Sequence, residues 1–178
     1  MQGSGFSAEF ILAIAAIVSL NCAPSFGADS CQQVFDALTK VVSTSGHKYS
    51  THTASSLDGP ITTHEETIYT REKTYLRVNN KWAESPLTKA EILEREQGNR
   101  KHGKAMCLFL RTETVNGELA DVYSLDNESA VSKEDAWIWI LRRTGLPMRE
   151  EVDVDTGSNG GKSHRSTRYE YGNVRPPM

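Results

Sequence analysis

The first 28 residues contain no Lys or Arg and a single acid, Glu9, and their apolar run, Phe10–Leu20, is interrupted only by Ser19. A run of that length is too short to span a bilayer as a helix. Followed by Pro24, Ser25, Phe26, Gly27 and Ala28, it reads as a secretory signal over residues 1–28, cleaved after Gly27 or Ala28 but lacking the usual basic start. An uncleaved N-terminal anchor is the alternative. Cys22 follows Ser19-Leu20-Asn21, which lack the small residue that a lipoprotein signal places beside its cysteine, so lipidation is excluded.

Cysteine is scarce as well: of three, only Cys31 and Cys107 lie beyond the signal. In the oxidising compartment that a signal implies, a disulfide between them is the default, and two buried free thiols are the alternative. A large charge excess is also missing. Of 23 acidic and 20 basic residues only Glu9 falls in the signal, leaving 22 acids against 20 bases, which gives no electrostatic case for nucleic acid or an anionic membrane surface. There is no internal repeat. Residues 29–178 suffice for one domain with a core and no more.

Motifs that carry chemistry are equally sparse. Asp155-Thr156-Gly157 imitates an aspartic-protease fingerprint, but only about twenty residues follow it and no second copy completes the dyad. Gly157–Ser163 imitates a phosphate loop with its first Gly one residue too close, and a strand pattern follows where a helix must open. Asp153, Asp155 and Asn159 lack the glycine position and closing Glu of a calcium loop. The five histidines, His47, His52, His64, His102 and His164, show no helical ligand spacing, and with the cysteines paired no zinc set remains. No catalytic residue, cofactor or metal site is assigned.

What the chain does have is period. In Asp29–Thr44, Val34, Leu38, Val41 and Val42 recur at helical spacing behind Asp29 or Ser30 as a cap, and Ser45-Gly46 ends the helix. Strand patterns follow over 47–57, 61–70 and 73–78, with a turn at Asp58-Gly59-Pro60 and a tight hairpin at Asn79-Asn80. Thr88–Glu91 has the spacing of a capping box, opening a short helix to about Gln97, after which Gly98–Gly103 reads as an exposed loop. Strands at 104–115 and 118–125 meet at Asn116-Gly117, and a polar stretch, Asn127–Asp135, leads to the central hairpin.

In that hairpin Trp137, Trp139 and Leu141 share one face and Ile138 and Ile140 the other, so both sides of the first arm should be covered. After the Thr144–Pro147 corner, Glu150, Val152 and Val154 alternate with Arg149, Glu151, Asp153 and Asp155, the pattern of a strand with one wet face. Ser163–Tyr171 is the last strand. About eight strands with short connections and two helices favour an antiparallel α+β domain.

The Trp-Ile pair, Thr-Gly-Leu-Pro-Met-Arg-Glu-Glu and the closing Arg-Tyr-Glu-Tyr-Gly-Asn-Val make residues 136–176 resemble the LolA-like superfamily of periplasmic lipoprotein carriers, with the remainder similar in element order. The resemblance implies a strongly curved antiparallel sheet, an open half-barrel, with two helices covering its concave face. It further implies that Trp137, Trp139, Val152, Val154, Tyr169 and Tyr171, with Phe109 on a neighbouring strand, line that face, and that the first helix is pinned over it by Cys31–Cys107. The expected function is a secreted or periplasmic, non-enzymatic binding protein for an acyl chain, lipid or lipoprotein, with no stable membrane insertion once the signal is removed. A protein-interaction or structural domain of the cell envelope, with a filled core and no ligand, is the alternative.

Overall fold

The structure is a computed structural model and describes residues 28–54, 59–102, 104–128, 132–157, 161–172 and 174–177. Residues 1–27 of the signal segment, residues 55–57 at the end of the first strand pattern, the turn residue Asp58 and residues 158–160 of the last loop lie outside the described residues. Two helices and nine strands follow in the order α1 (Ala28–Ser43), β1 (Gly46–Ala54), β2 (Ile61–Tyr69), β3 (Thr74–Val78), β4 (Lys81–Glu84), α2 (Lys89–His102), β5 (Lys104–Val115), β6 (Glu118–Glu128), β7 (Lys133–Leu141), β8 (Pro147–Asp155) and β9 (Lys162–Tyr171). All nine strands form one antiparallel sheet in the order β4-β3-β2-β1-β9-β8-β7-β6-β5. It is open, with β4 and β5 at its edges, and this α+β arrangement agrees with the class expected from the sequence.

The turns form where local chemistry demands them. Asn79 and Asn80 have φ of 51° and 61°, and Asn116 and Gly117 have 53° and 83°, the left-handed pairs that a two-residue hairpin needs. At the Thr-Gly-Leu-Pro corner Gly145 has φ of 65°, its N–H donates to the Leu141 carbonyl at 2.7 Å, and Leu146 and Pro147 are buried behind it. Lys40, in the last turn of α1, donates to the Thr144 carbonyl at 2.6 Å and ties the helix end to this corner.

Helix α1 places Val34, Ala37, Val41 and Val42 inward, and Val34 and Ala37 pack with Tyr123, Ile138 and Ile140 from β6 and β7. Each fully buried valine or isoleucine among them contributes about 1.5–3 kcal/mol. The Tyr123 hydroxyl donates to the Gln33 side chain and gives the buried phenol its partner. Helix α2 packs against α1, and its Lys89 ammonium reaches the Thr70 carbonyl at 2.5 Å.

Two bounds differ from expectation. Helix α2 runs to His102 rather than Gln97, because a lone Gly98 costs only about 1 kcal/mol in a helix and no proline follows it. Both ends of the polar stretch 127–135 are strand, since Asp126–Glu128 pair in register with Lys133–Asp135 and extend the β6–β7 ladder. Helix α2 spans about 21 Å at 1.5 Å per residue. It joins edge strands that would lie about 38 Å apart in a flat nine-stranded sheet. Bulges at His52/Thr53, Phe109/Arg111 and Trp139/Ile140 add local twist, and both features favour a sheet curved toward its helices.

Cys31 of α1 and Cys107 of β5 form a disulfide across 76 residues of sequence. In the chain-entropy model a loop of that size contributes about 4–5 kcal/mol. The double variant Cys31→Ser, Cys107→Ser is therefore expected to move the guanidinium unfolding midpoint down by an amount matching that range. An unchanged midpoint would show that α1 docks on its apolar contacts alone.

Candidate functional site

The register of β7 with β8 decides what shares a face. Ala136 lies opposite Val152, Ile138 opposite Glu150, Trp137 opposite Glu151 and Trp139 opposite Arg149. Since side chains alternate along a strand, Val152 and Glu150 belong with Ile138 on the α1 side, and the two tryptophans belong with Glu151 and Arg149 on the other. The expected ligand set is thus divided. Phe109 packs edge-to-face on Tyr123 at 5.6 Å, Tyr169 and Tyr171 stack at 6.3 Å, and Val152 is buried, all in the layer beneath α1. Trp137 and Trp139 face away from α1, so the expectation of a single aromatic surface is corrected. Val154, two residues beyond Val152, follows the same alternation onto the α1 side and only borders the tryptophan-side cavity at the end of β8.

The α1 side is filled by the Val34–Ile138 cluster and by a polar group. Buried Glu150 accepts from the Tyr169 hydroxyl at 2.8 Å and from the Arg165 guanidinium at 3.0 Å. Burial, then the Glu150 charge, push the Tyr169 phenol well up, so it stays protonated and serves as a donor. Next to it Ser50 and Thr167 share a buried hydrogen bond of 3.0 Å.

On the opposite face β7, β8 and β9 line a cavity of about 650 Å³ that is open to solvent. Trp137 and Trp139 form one wall, the Val154–Ser163 pair borders it, and the remainder is ionisable: Lys133, Asp135, Glu151, Asp153, Asp155, Lys162 and His164. Trp139 is buried even though no helix covers it among the described residues: it packs with Ala120, Val122, Val115 and Met148, its indole N–H donates to Glu113 at 2.6 Å, and the Arg149 guanidinium lies 4.8 Å over its ring. Hydrogen bonds from Trp139 and then Arg111 hold the Glu113 carboxyl below its ordinary range. Trp137 keeps 36 % of its surface exposed. The expectation that both sides of β7 are covered therefore holds fully for its isoleucines and only in part for its tryptophans.

The floor of the cavity is a carboxylate–imidazole–carboxylate chain. His164 Nε2 lies 2.8 Å from Glu151 and Nδ1 lies 2.7 Å from Asp153, while the Ser166 hydroxyl and Arg149 donate to Glu151 at 2.9 and 2.7 Å. Both imidazole acceptors are carboxylates, so both ring nitrogens act as donors, the state of a protonated ring. Burial opposes that state, but the hydrogen bonds and charges of Asp153 and Glu151 outweigh it and raise the His164 pKa above the ordinary value. With neither nitrogen free, the ring is a structural cation and is not placed to take a proton from a substrate. No group of three metal-ligating side chains occurs among the described residues.

Sequence reasoning gave His164 no role and read β8 as half wet, whereas Glu150 and Glu151 are both buried, on opposite faces. The available signal was the Glu-Glu pair itself. Consecutive strand residues point opposite ways, so in a strand buried on both sides one acid must enter each layer and find a partner there.

Because the folded pKa of His164 is raised, its contribution to stability is fully present below the unfolded value near 6.5 and is lost as pH climbs through the folded value. His164→Gln is expected to cost about 3 kcal/mol at pH 6, as removal of one member of a buried ion pair does. The gap in unfolding free energy between the two proteins should narrow as pH rises past 6.5. A gap independent of pH between 5.5 and 9 would refute the protonated ring.

No family model and no curated protein matches the chain. Three solved structures are similar to it at low identity: LprF from Mycobacterium bovis, with 9 % identity and a TM-score of 0.43 over 86 % of this chain and 98 % of that one; the LolA superfamily protein NE2245 from Nitrosomonas europaea, with 8 % and 0.30 over 82 % and 95 %; and a DUF1329 family protein from Desulfovibrio piger, with 11 % and 0.28 over 82 % and 94 %.

Proposed function

We propose that this chain is a non-enzymatic binding protein of the cell envelope that holds an apolar or amphiphilic ligand against Trp137 and Trp139. The observation that carries the reading is the cavity of about 650 Å³ with an indole wall, which falls within the roughly 300–1,000 Å³ typical of small-ligand sites. The ligand's place is then the face away from α1, because the layer under the helix is already filled by Val34, Ala37, Ile138 and Ile140.

Export is supported by the apolar N-terminal run and by the Cys31–Cys107 disulfide, a bond that persists in oxidising compartments. No helix among the described residues is long and apolar enough to cross a membrane. The LolA-like pattern of residues 136–176 points the same way, toward lipid or lipoprotein cargo, with the cargo surface moved to the tryptophan side.

Native mass spectra of the purified chain, recorded before and after organic extraction, test this reading. Co-purifying lipid or acyl species are expected to be removed by extraction and to fall at least fivefold in Trp137→Ser, a change at an exposed site that should leave the circular dichroism spectrum unaltered. A bare mass, with no uptake of added fatty acid, phospholipid or alkyl detergent, would overturn it and favour a protein-interaction domain with a filled core.

A further inference from the structure

The charges around the cavity specify what kind of ligand it takes. In the sheet register Asp126 lies opposite Asp135, and Asp135 lies opposite Asp153, so three carboxylates occupy one row across β6, β7 and β8. Like charges directly opposite in a sheet repel and are destabilising. Two of the three, Asp135 and Asp153, line the cavity together with Glu151 and Asp155, whereas its ammonium groups are Lys133 and Lys162 alone. Counting Asp126 with its row and Arg149 with its partner Glu151, five carboxylates face four cations when His164 carries a proton, a net charge of −1 on this face.

The resident cations are also engaged or displaced outward. Lys133 reaches Asp135 at 3.0 Å and Lys162 reaches Asp155 at 3.6 Å, with their side chains 61 % and 71 % exposed, so both act from the rim. His164 is held by Glu151 and Asp153 at the floor. The aromatic wall, for its part, already accepts a positive charge: Arg149 lies over Trp139. Trp137, two residues earlier on the same face and more exposed, presents a second indole beside Asp135, and an indole face attracts an organic cation through its quadrupole.

We propose that the cavity selects a cationic amphiphile, with an alkylammonium head between Trp137 and the Asp135 and Asp153 carboxylates and an apolar body along the indole wall. The proposal rests on the binding role argued above and adds the sign of the head group. It disfavours free fatty acids, whose carboxylate would meet a lining of its own sign. The chemistry is shared by a choline-type lipid head group and by a soluble long-chain amine.

Three probes of equal chain length distinguish the possibilities: dodecyltrimethylammonium, dodecyl maltoside and laurate, each titrated into the full chain below its micelle concentration and followed by calorimetry. The cation is expected to bind at least tenfold more tightly than the maltoside, with laurate weakest. Asp135→Asn and, independently, Trp137→Leu should each cut the preference for the cation over the maltoside at least fivefold, whatever either change does to the maltoside itself. Flotation with phosphatidylcholine vesicles then separates the sources: co-migration identifies a lipid head group, and binding of the monomeric cation alone identifies a soluble amine. Equal affinity for cation and maltoside would overturn the charge selection while leaving the binding role standing. No uptake of any of the three would overturn the binding role itself.

Discussion

The strict alternation of side chains along β7 is the constraint on which the rest of the molecule depends. Ile138 and Ile140 must point one way and Trp137 and Trp139 the other, so the strand needs two different covers. Helix α1 supplies the first and is held in place by apolar packing, by Lys40 at the corner and by the disulfide to β5. The second cover consists of side chains: Glu113 and Arg149 close over Trp139 and stop short of Trp137. The cavity exists because that second cover is incomplete.

Each layer also has to accommodate one carboxylate of the Glu150-Glu151 pair. An unpaired buried carboxylate would cost several kcal/mol, and the chain meets this by bringing β9 alongside β8 with a matching donor on each face. Arg165 and Tyr169 serve Glu150, and His164 and Ser166 serve Glu151. These six residues make the β8–β9 pairing specific in register. A slip of one residue would carry Tyr169 and His164 to the wrong faces and leave both acids without their present partners.

Much of the fold was legible because it is written in local chemistry. Asn79-Asn80 and Asn116-Gly117 state their turns through the need for positive φ, and the α1 stripe states its buried face through spacing alone. The site was less legible because it depends on pairing between distant segments. Whether Trp137 joins Val152 or Glu151 follows from the β7–β8 register, which the corner and the bulge at Trp139/Ile140 set together. The role of His164 depends on acids eleven and thirteen positions earlier arriving within 3 Å of its ring, and no periodicity announces that.

Strand order also bears on what such a site can do. β9 is the middle strand of the nine, paired with β1 on one side and β8 on the other, so the three strands that carry the cavity are interior to the sheet and hydrogen-bonded along both edges. Residues on paired interior strands are held by ladders on two sides and move less than residues on loops or edges. A wall of this kind is formed before a ligand arrives and does not have to be ordered by it, which lowers the conformational cost of binding. The helix layer beneath adds to this stiffness, since a packed core under Ile138 fixes the backbone from which Trp137 and Trp139 project. A covered face packed by α1 and an open, walled face are therefore two consequences of one arrangement: the helix side makes the sheet rigid, and that rigidity fixes the positions of Trp137 and Trp139 on the other side.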